Sequence, residues 1–137
     1  MLLFINSVSS RGAVALAKKN ATIIKAKKFT TDRKKSELVL QNIDELLKST
    51  KIPLKKISGI IVVTGPGPFT AIRVGVSVAN TLAWVLHCNV VGVSNTAGTN
   101  LEDLIAEGIK QLARHKTKTA KPLYGQPPNI SQPKKKV

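Results

Sequence analysis

Apolar and polar positions follow a few distinct rhythms along this chain, and each rhythm predicts an element. Leu2–Ile5 is an unbroken apolar run, followed by the turn-like Asn6-Ser7-Val8-Ser9-Ser10-Arg11-Gly12. Ala13–Ala17 is a second apolar run, Lys18-Lys19-Asn20 a short polar turn, and Ala21–Phe29 an alternating segment. Alternation over that length is the mark of a half-exposed strand. It predicts Ile24, Ala26 and Lys28 on the face opposite Ile23, Lys25 and Lys27. Three short strands joined by tight turns predict an antiparallel meander.

The rhythm then changes to a helical one. Val39, Ile43, Leu46 and Leu47 recur at helical spacing between Lys34 and Ser49, and Pro53 closes the region. Ile57–Val63 is short, β-branched and apolar on both faces, which predicts a buried strand. Gly65-Pro66-Gly67-Pro68 breaks it, and a helix is expected from Pro68 or Phe69 to about His87, since proline suits a first helical turn. Val90–Val93 reads as a further strand. Leu101, Leu104, Ile105, Ile109 and Leu112 share one face of a last helix from Leu101 to Arg114. Its acids lie early and its bases late, as a helix dipole favours. The resulting fold class is α/β, in the order β-β-β-α-β-α-β-α, with a mixed sheet of about five strands and flanking helices. By analogy this is a single ribonuclease-H-like domain, the layout of half an actin-like ATPase.

Composition adjusts this picture in two ways. The hydrophobic fraction of 42% suits a real core, but aromatic residues make up only 4%, so aliphatic side chains must fill it. Lys and Arg number 22 against 7 Asp and Glu, a formal charge of +15 that favours anionic surfaces and partners. The single cysteine, Cys88, allows neither an internal disulfide nor a thiolate metal cage, so a reducing compartment is the default. The first apolar run is too short for a signal-peptide core. The long apolar stretch from Phe69 to Leu86 is interrupted by Arg73, Ser77, Asn80 and Thr81, the pattern of a buried helix rather than a membrane span. No membrane association and a cytoplasmic location are expected.

After Arg114 the character shifts again. Residues 115–137 carry six lysines, no acid and prolines at 122, 127, 128 and 133. The expected division is a core domain over 1–114 and a basic, extended tail over 115–137. Lys116, Lys118, Lys121, Lys134, Lys135 and Lys136 are candidate contacts to nucleic-acid phosphates, or else a solvated tail.

The segment richest in information is Gly65-Pro66-Gly67-Pro68-Phe69-Thr70-Ala71-Ile72-Arg73-Val74-Gly75. A strand ending in a glycine-proline turn before a helix can present backbone N–H groups to an anion. It lacks the Gly-Lys-Ser/Thr ending of a P-loop, and its prolines remove two donors. The helix that follows is apolar nearly all round. Ile72, Val76, Ala79 and Ala83 form one stripe, and Val74, Val78, Leu82 and Leu86 another. In a domain this small little is expected to cover the second stripe, which suggests a face for a partner.

This segment resembles the signature of the TsaB (YeaZ) family of tRNA threonylcarbamoyladenosine biosynthesis, Gly-Pro-Gly-Ser-Phe-Thr-Gly-Leu-Arg-Ile-Gly. Val91-Gly92-Val93-Ser94 and Pro122-Leu123-Tyr124 resemble two further pieces of that family. The resemblance implies a scaffold subunit that is not itself an enzyme. It implies docking to a larger TsaD-like catalytic partner, with a TsaE-like ATPase in the wider complex and tRNA bound indirectly. Carried over, the interface falls on Phe69, Thr70, Arg73, Val76, Ser77, Asn80 and Trp84, with Gly65, Pro66, Gly67 and Pro68 as the motif turn. Phe69 and Val76 read equally well as ordinary core. ATP and metal are expected on the partner or at the shared interface, with no cofactor in the isolated chain. The Pro68–His87 helix could also pair two copies as a homodimer.

Departures from the family pattern bear on activity. Asn6-Ser7 stands where the family has an aspartate, and Pro68 and Ala71 replace the usual serine and glycine. A minimal form of the family, lacking the second half-domain, is expected. His87 and His115 lie on different elements, and no spacing suggests a metal site, a catalytic triad or a carboxylate pair. The competing reading is a basic RNA-binding module acting through its tail and strand surface.

Overall fold

A computed structural model describes residues 1–8, 11–30, 35–67, 69–95 and 100–120. Five strands, β1 (Leu2–Asn6), β2 (Arg11–Ala17), β3 (Ile23–Thr30), β4 (Gly59–Gly65) and β5 (Asn89–Ser94), form one sheet in the order β3-β2-β1-β4-β5. Three helices, α1 (Lys35–Thr50), α2 (Phe69–Leu86) and α3 (Leu101–Arg114), complete the expected order. The first three strands form the antiparallel meander, whereas β4 and β5 add in parallel. The mixed α/β sheet is therefore the one read from the pattern.

Both faces of the central strands are buried, which is why β1 and β4 are apolar without alternation. All of β4 is buried. α1 and α2 pack on one face, α1 over β2 and β3, α2 over β4 and β1. α3 covers β4 and β5 from the other side, where a Cβ at Gly108 would run into Ile61. Leu3, Ile5, Val14, Leu16, Ile60 and Ile61 are all fully buried. Burying an aliphatic side chain of this kind contributes about 1.5–3 kcal/mol, so an aliphatic core suffices without aromatics.

One orientation differs from the alternation. The pairing register shifts between Leu16 and Ala17, so Ala17 faces Ile23 while Leu16 faces Lys25. This bulge turns Ile23 to the side of Ala26 and Lys28, with which it lines a shared groove. Lys27 keeps the helix side and pairs with Glu45 of α1 at 2.6 Å.

The helix ends are set locally. Asn100 accepts a hydrogen bond from the Asp103 amide at 2.8 Å and caps α3. α1 and α2 stop at Lys51 and His87, both left-handed at φ 59° and 55°. After each, an amide reaches back, Ile52 to the Leu47 carbonyl at 3.1 Å and Cys88 to the Ala83 carbonyl at 3.1 Å. These are helix-terminating bonds that usually recruit glycine. No helix among the described residues is long and apolar enough to cross a membrane.

Candidate functional site

The motif turn leaves the carboxyl end of β4. Gly65 has φ 114°, a conformation open to glycine, and the Gly65–Pro66 bond is cis. The Thr64 hydroxyl donates to the Val93 carbonyl at 3.2 Å, and the Asn95 amide donates to the Pro66 carbonyl at 2.9 Å. A Cβ at Gly67 would meet the Val8 side chain. The turn is thus packed down on the loop after β1 and tied to the end of β5. Pro68 lies outside the described residues, as does the Phe69 side chain.

At the place of the family aspartate, Asn6 Oδ1 accepts from the Val8 amide at 3.0 Å. Ser7 is wholly buried and donates its hydroxyl to the Ala71 carbonyl at 2.7 Å. A Cβ at Gly75 would collide with that hydroxyl. Asn6 therefore shapes the loop after β1, and Ser7 ties that loop to α2. Neither is a carboxylate, and the pair does not fit the metal–nucleotide role that the acid has in actin-like ATPases. Among the described residues no three His, Cys, Asp or Glu side chains cluster as metal ligands. Burial pushes the Cys88 thiol up, a trend Lys118 only partly opposes, so it is a protonated core group.

The residues of α2 separate by face. Ile72, Val76, Ala79 and Ala83 point into the core. Val76 is only 4% exposed, which corrects its placement on the docking surface: its stripe faces the sheet. The second stripe is also largely covered. Val78 is buried, and Val74, Leu82 and Leu86 are half-buried against the core, because α1 flanks α2 on the same face. What remains open is a third arc. Thr70, Arg73, Ser77 and Trp84 are all exposed and fall within roughly 60° of one another at 100° per residue. Trp84 is 77% exposed and its neighbour Val85 53%.

Asn80 belongs to neither group. Its amide donates to the Ala120 carbonyl at 3.0 Å and its Oδ1 accepts from the Ala120 amide at 2.7 Å. Residues 115–120, the described part of the segment after α3, form a strap along β5. The Val90 amide donates to the Thr117 carbonyl at 2.9 Å, the Thr117 hydroxyl donates back to the Val90 carbonyl, and Ala120 is buried. Lys116 and Lys118 stand exposed on this strap. Lys121, Lys134, Lys135 and Lys136, like the Pro122-Leu123-Tyr124 piece, lie outside the described residues.

Comparisons with known proteins agree with this architecture. Residues 26–113 match the family model for TsaD, tRNA N6-adenosine threonylcarbamoyltransferase. The chain is 31% identical over 109 residues to the Bacillus subtilis tRNA threonylcarbamoyladenosine biosynthesis protein TsaB, covering 78% of this chain and 44% of that protein. It is 36% identical over 78 residues to a Geotalea daltonii tRNA N6-adenosine threonylcarbamoyltransferase, covering 57% of this chain and 23% of the relative. YeaZ from Pseudomonas aeruginosa superposes with a TM-score of 0.65 and 26% identity, over 70% of this chain and 44% of its own. The chain thus spans less than half the length of these relatives. By the family-model match and the likeness to TsaB and YeaZ, the chain belongs to the TsaD-type family and within it to the TsaB (YeaZ) proteins.

Proposed function

We propose that the chain is a non-catalytic accessory subunit in threonylcarbamoyladenosine modification of tRNA, docking a TsaD-like catalytic partner through the outer arc of α2. The observation that carries the reading is Trp84. A tryptophan that is 77% exposed, on an arc with Thr70, Arg73 and Ser77, is the type of side chain that dominates protein interfaces when it is covered. The absence of a carboxylate at Asn6-Ser7 supports the accessory role over autonomous nucleotide chemistry. ATP and metal would then belong to the partner or to the joint between the two proteins, and a TsaE-like ATPase to the wider assembly. The same arc would pair two copies of the free chain as a homodimer.

Co-purification with the host's TsaD-like protein tests this, using Ser77→Arg and Trp84→Ala. Both positions are exposed, so the fold should survive, whereas Val76→Arg would place a charge in the core. Loss of the complex with unchanged melting temperature is expected. Recovery of both variants in wild-type yield would remove the arc from the interface.

A further inference from the structure

The charge of this protein is unevenly placed, and one end of the domain collects six described cations without a carboxylate among them. Leu2 lies level with Ala17 and Gly59, and Gly59 with Asn89. The amino ends of β1, β4 and β5 and the β2–β3 turn therefore form one end of the sheet. All three helices run back to that end and finish there, at Thr50, Leu86 and Arg114. Exposed at this end are Lys18 and Lys19 in the β2–β3 turn, Lys51, Lys55 and Lys56 between α1 and β4, and Arg114.

No described carboxylate stands among them. Asp44, Glu45 and Glu107 come nearest along their helices, roughly 8–10 Å before the helix ends at 1.5 Å per residue. They are paired there with Lys48, Lys27 and Lys110. Helix dipoles account for only part of the excess. Three carboxyl termini supply about −0.5 each, or about −1.5 in all. Six cations exceed that by more than four charges. Such a concentration repels itself in the free protein and gains when an anion covers it.

The end is also recessed. A cavity of about 370 Å³ opens beside Lys19, with Ser58 and Gly59 on one side and Leu2, Ile109 and Leu112 as an apolar wall. Phosphate contacts from the surrounding lysines with a sugar or base edge in the recess is the pattern of nucleic-acid recognition.

We infer that this basic end binds the phosphate backbone of a folded RNA directly, with the recess beside Lys19 taking a sugar or base. The choice of RNA among polyanions rests on the proposed place in tRNA modification. The binding itself needs no partner protein, so it stands or falls apart from the α2 interface.

The test is fluorescence anisotropy of the isolated full chain with an unmodified tRNA transcript across a series of salt concentrations. The wild type should bind with log K falling against log salt at a slope of about −4 to −5, from 0.7–0.9 per phosphate for six contacts. Lys51→Glu/Lys55→Glu/Lys56→Glu should lower affinity at least tenfold and make the slope shallower by about 2–3. Lys134→Glu/Lys135→Glu/Lys136→Glu changes net charge equally and should retain most of the binding. Equal binding by the first triple variant overturns the inference, as does loss confined to the second. Binding to anionic phospholipid vesicles without binding to tRNA also overturns it.

Discussion

Gly75 sits in the signature segment for a reason that can be measured. The Ser7 hydroxyl, buried and bonded to the Ala71 carbonyl at 2.7 Å, occupies the space a Cβ at Gly75 would need. Gly75→Ala has two opposing effects. Replacing a glycine inside a helix stabilises by about 1 kcal/mol. Displacing a buried hydroxyl from its acceptor costs about 1–3 kcal/mol, and crowding against a rigid core adds about 1–3 kcal/mol. The net loss should be about 1–5 kcal/mol. Ser7→Ala alone removes one hydrogen bond, about 1 kcal/mol, and leaves the Ala71 carbonyl its intrahelical partner. In the double variant the colliding oxygen is gone, and the nearest remaining Ser7 atom would lie 3.4 Å from the new methyl, a tight but workable contact. The helix gain then offsets the lost bond, and the double variant should return to near wild-type stability. Urea denaturation of the wild type, both single variants and the double variant gives the coupling energy. A Gly75→Ala protein as stable as wild type, or effects additive within about 0.5 kcal/mol, would refute the argument.

Two further outcomes follow from local geometry. Ala21 closes the β2–β3 turn at φ 74°, with its amide on the Lys18 carbonyl at 2.9 Å. Ala21→Gly should therefore stabilise by about 1 kcal/mol and raise the melting temperature by several degrees. Glu45 is held below its ordinary value of 4.5, first by the hydrogen bond from Lys27 and then by that from Gln41. A depressed folded value means the contribution is complete above the unfolded value and is lost as pH falls through the folded one. Lys27→Met should flatten the acid limb of a melting temperature–pH profile, while leaving the region near neutrality nearly level.

Much of the fold was legible because the elements carry their signals locally. The apolar run of β4, the alternation of β3 and the heptad-like faces of α1 and α3 each need only their own residues to be read. What was not legible depends on contacts across the fold. The bulge that turns Ile23 arises from the pairing of β3 with β2 and has no mark in the alternation itself. α2 is apolar on two sides, and its sequence does not say that α1 covers the second; hence Val76 could be placed on either face until the sheet was in view. Asn80 holds a backbone 40 residues away, a bond with no spacing rule. The candidate docking arc was half readable for the same reason. Its polar members, Thr70, Arg73 and Ser77, and Trp84 share one exposed arc of α2, while Asn80 is turned to the strap.

That strap has a bearing on how copies of this protein can meet. A sheet has two lateral borders, here β3 and β5, and a border with free amides and carbonyls invites another strand. The strap occupies Val90 on the β5 side. Among the described residues no strand pairs with the β3 border, which carries Lys25, Lys27 and Lys28, so a second β3 laid against it would bring like charges together. Head-to-tail stacking of β3 on β5 would build an endless ribbon, and the strap obstructs it. A protein with a formal charge of +15 and one guarded border can associate through helices, but its sheet is protected from growing into a fibre.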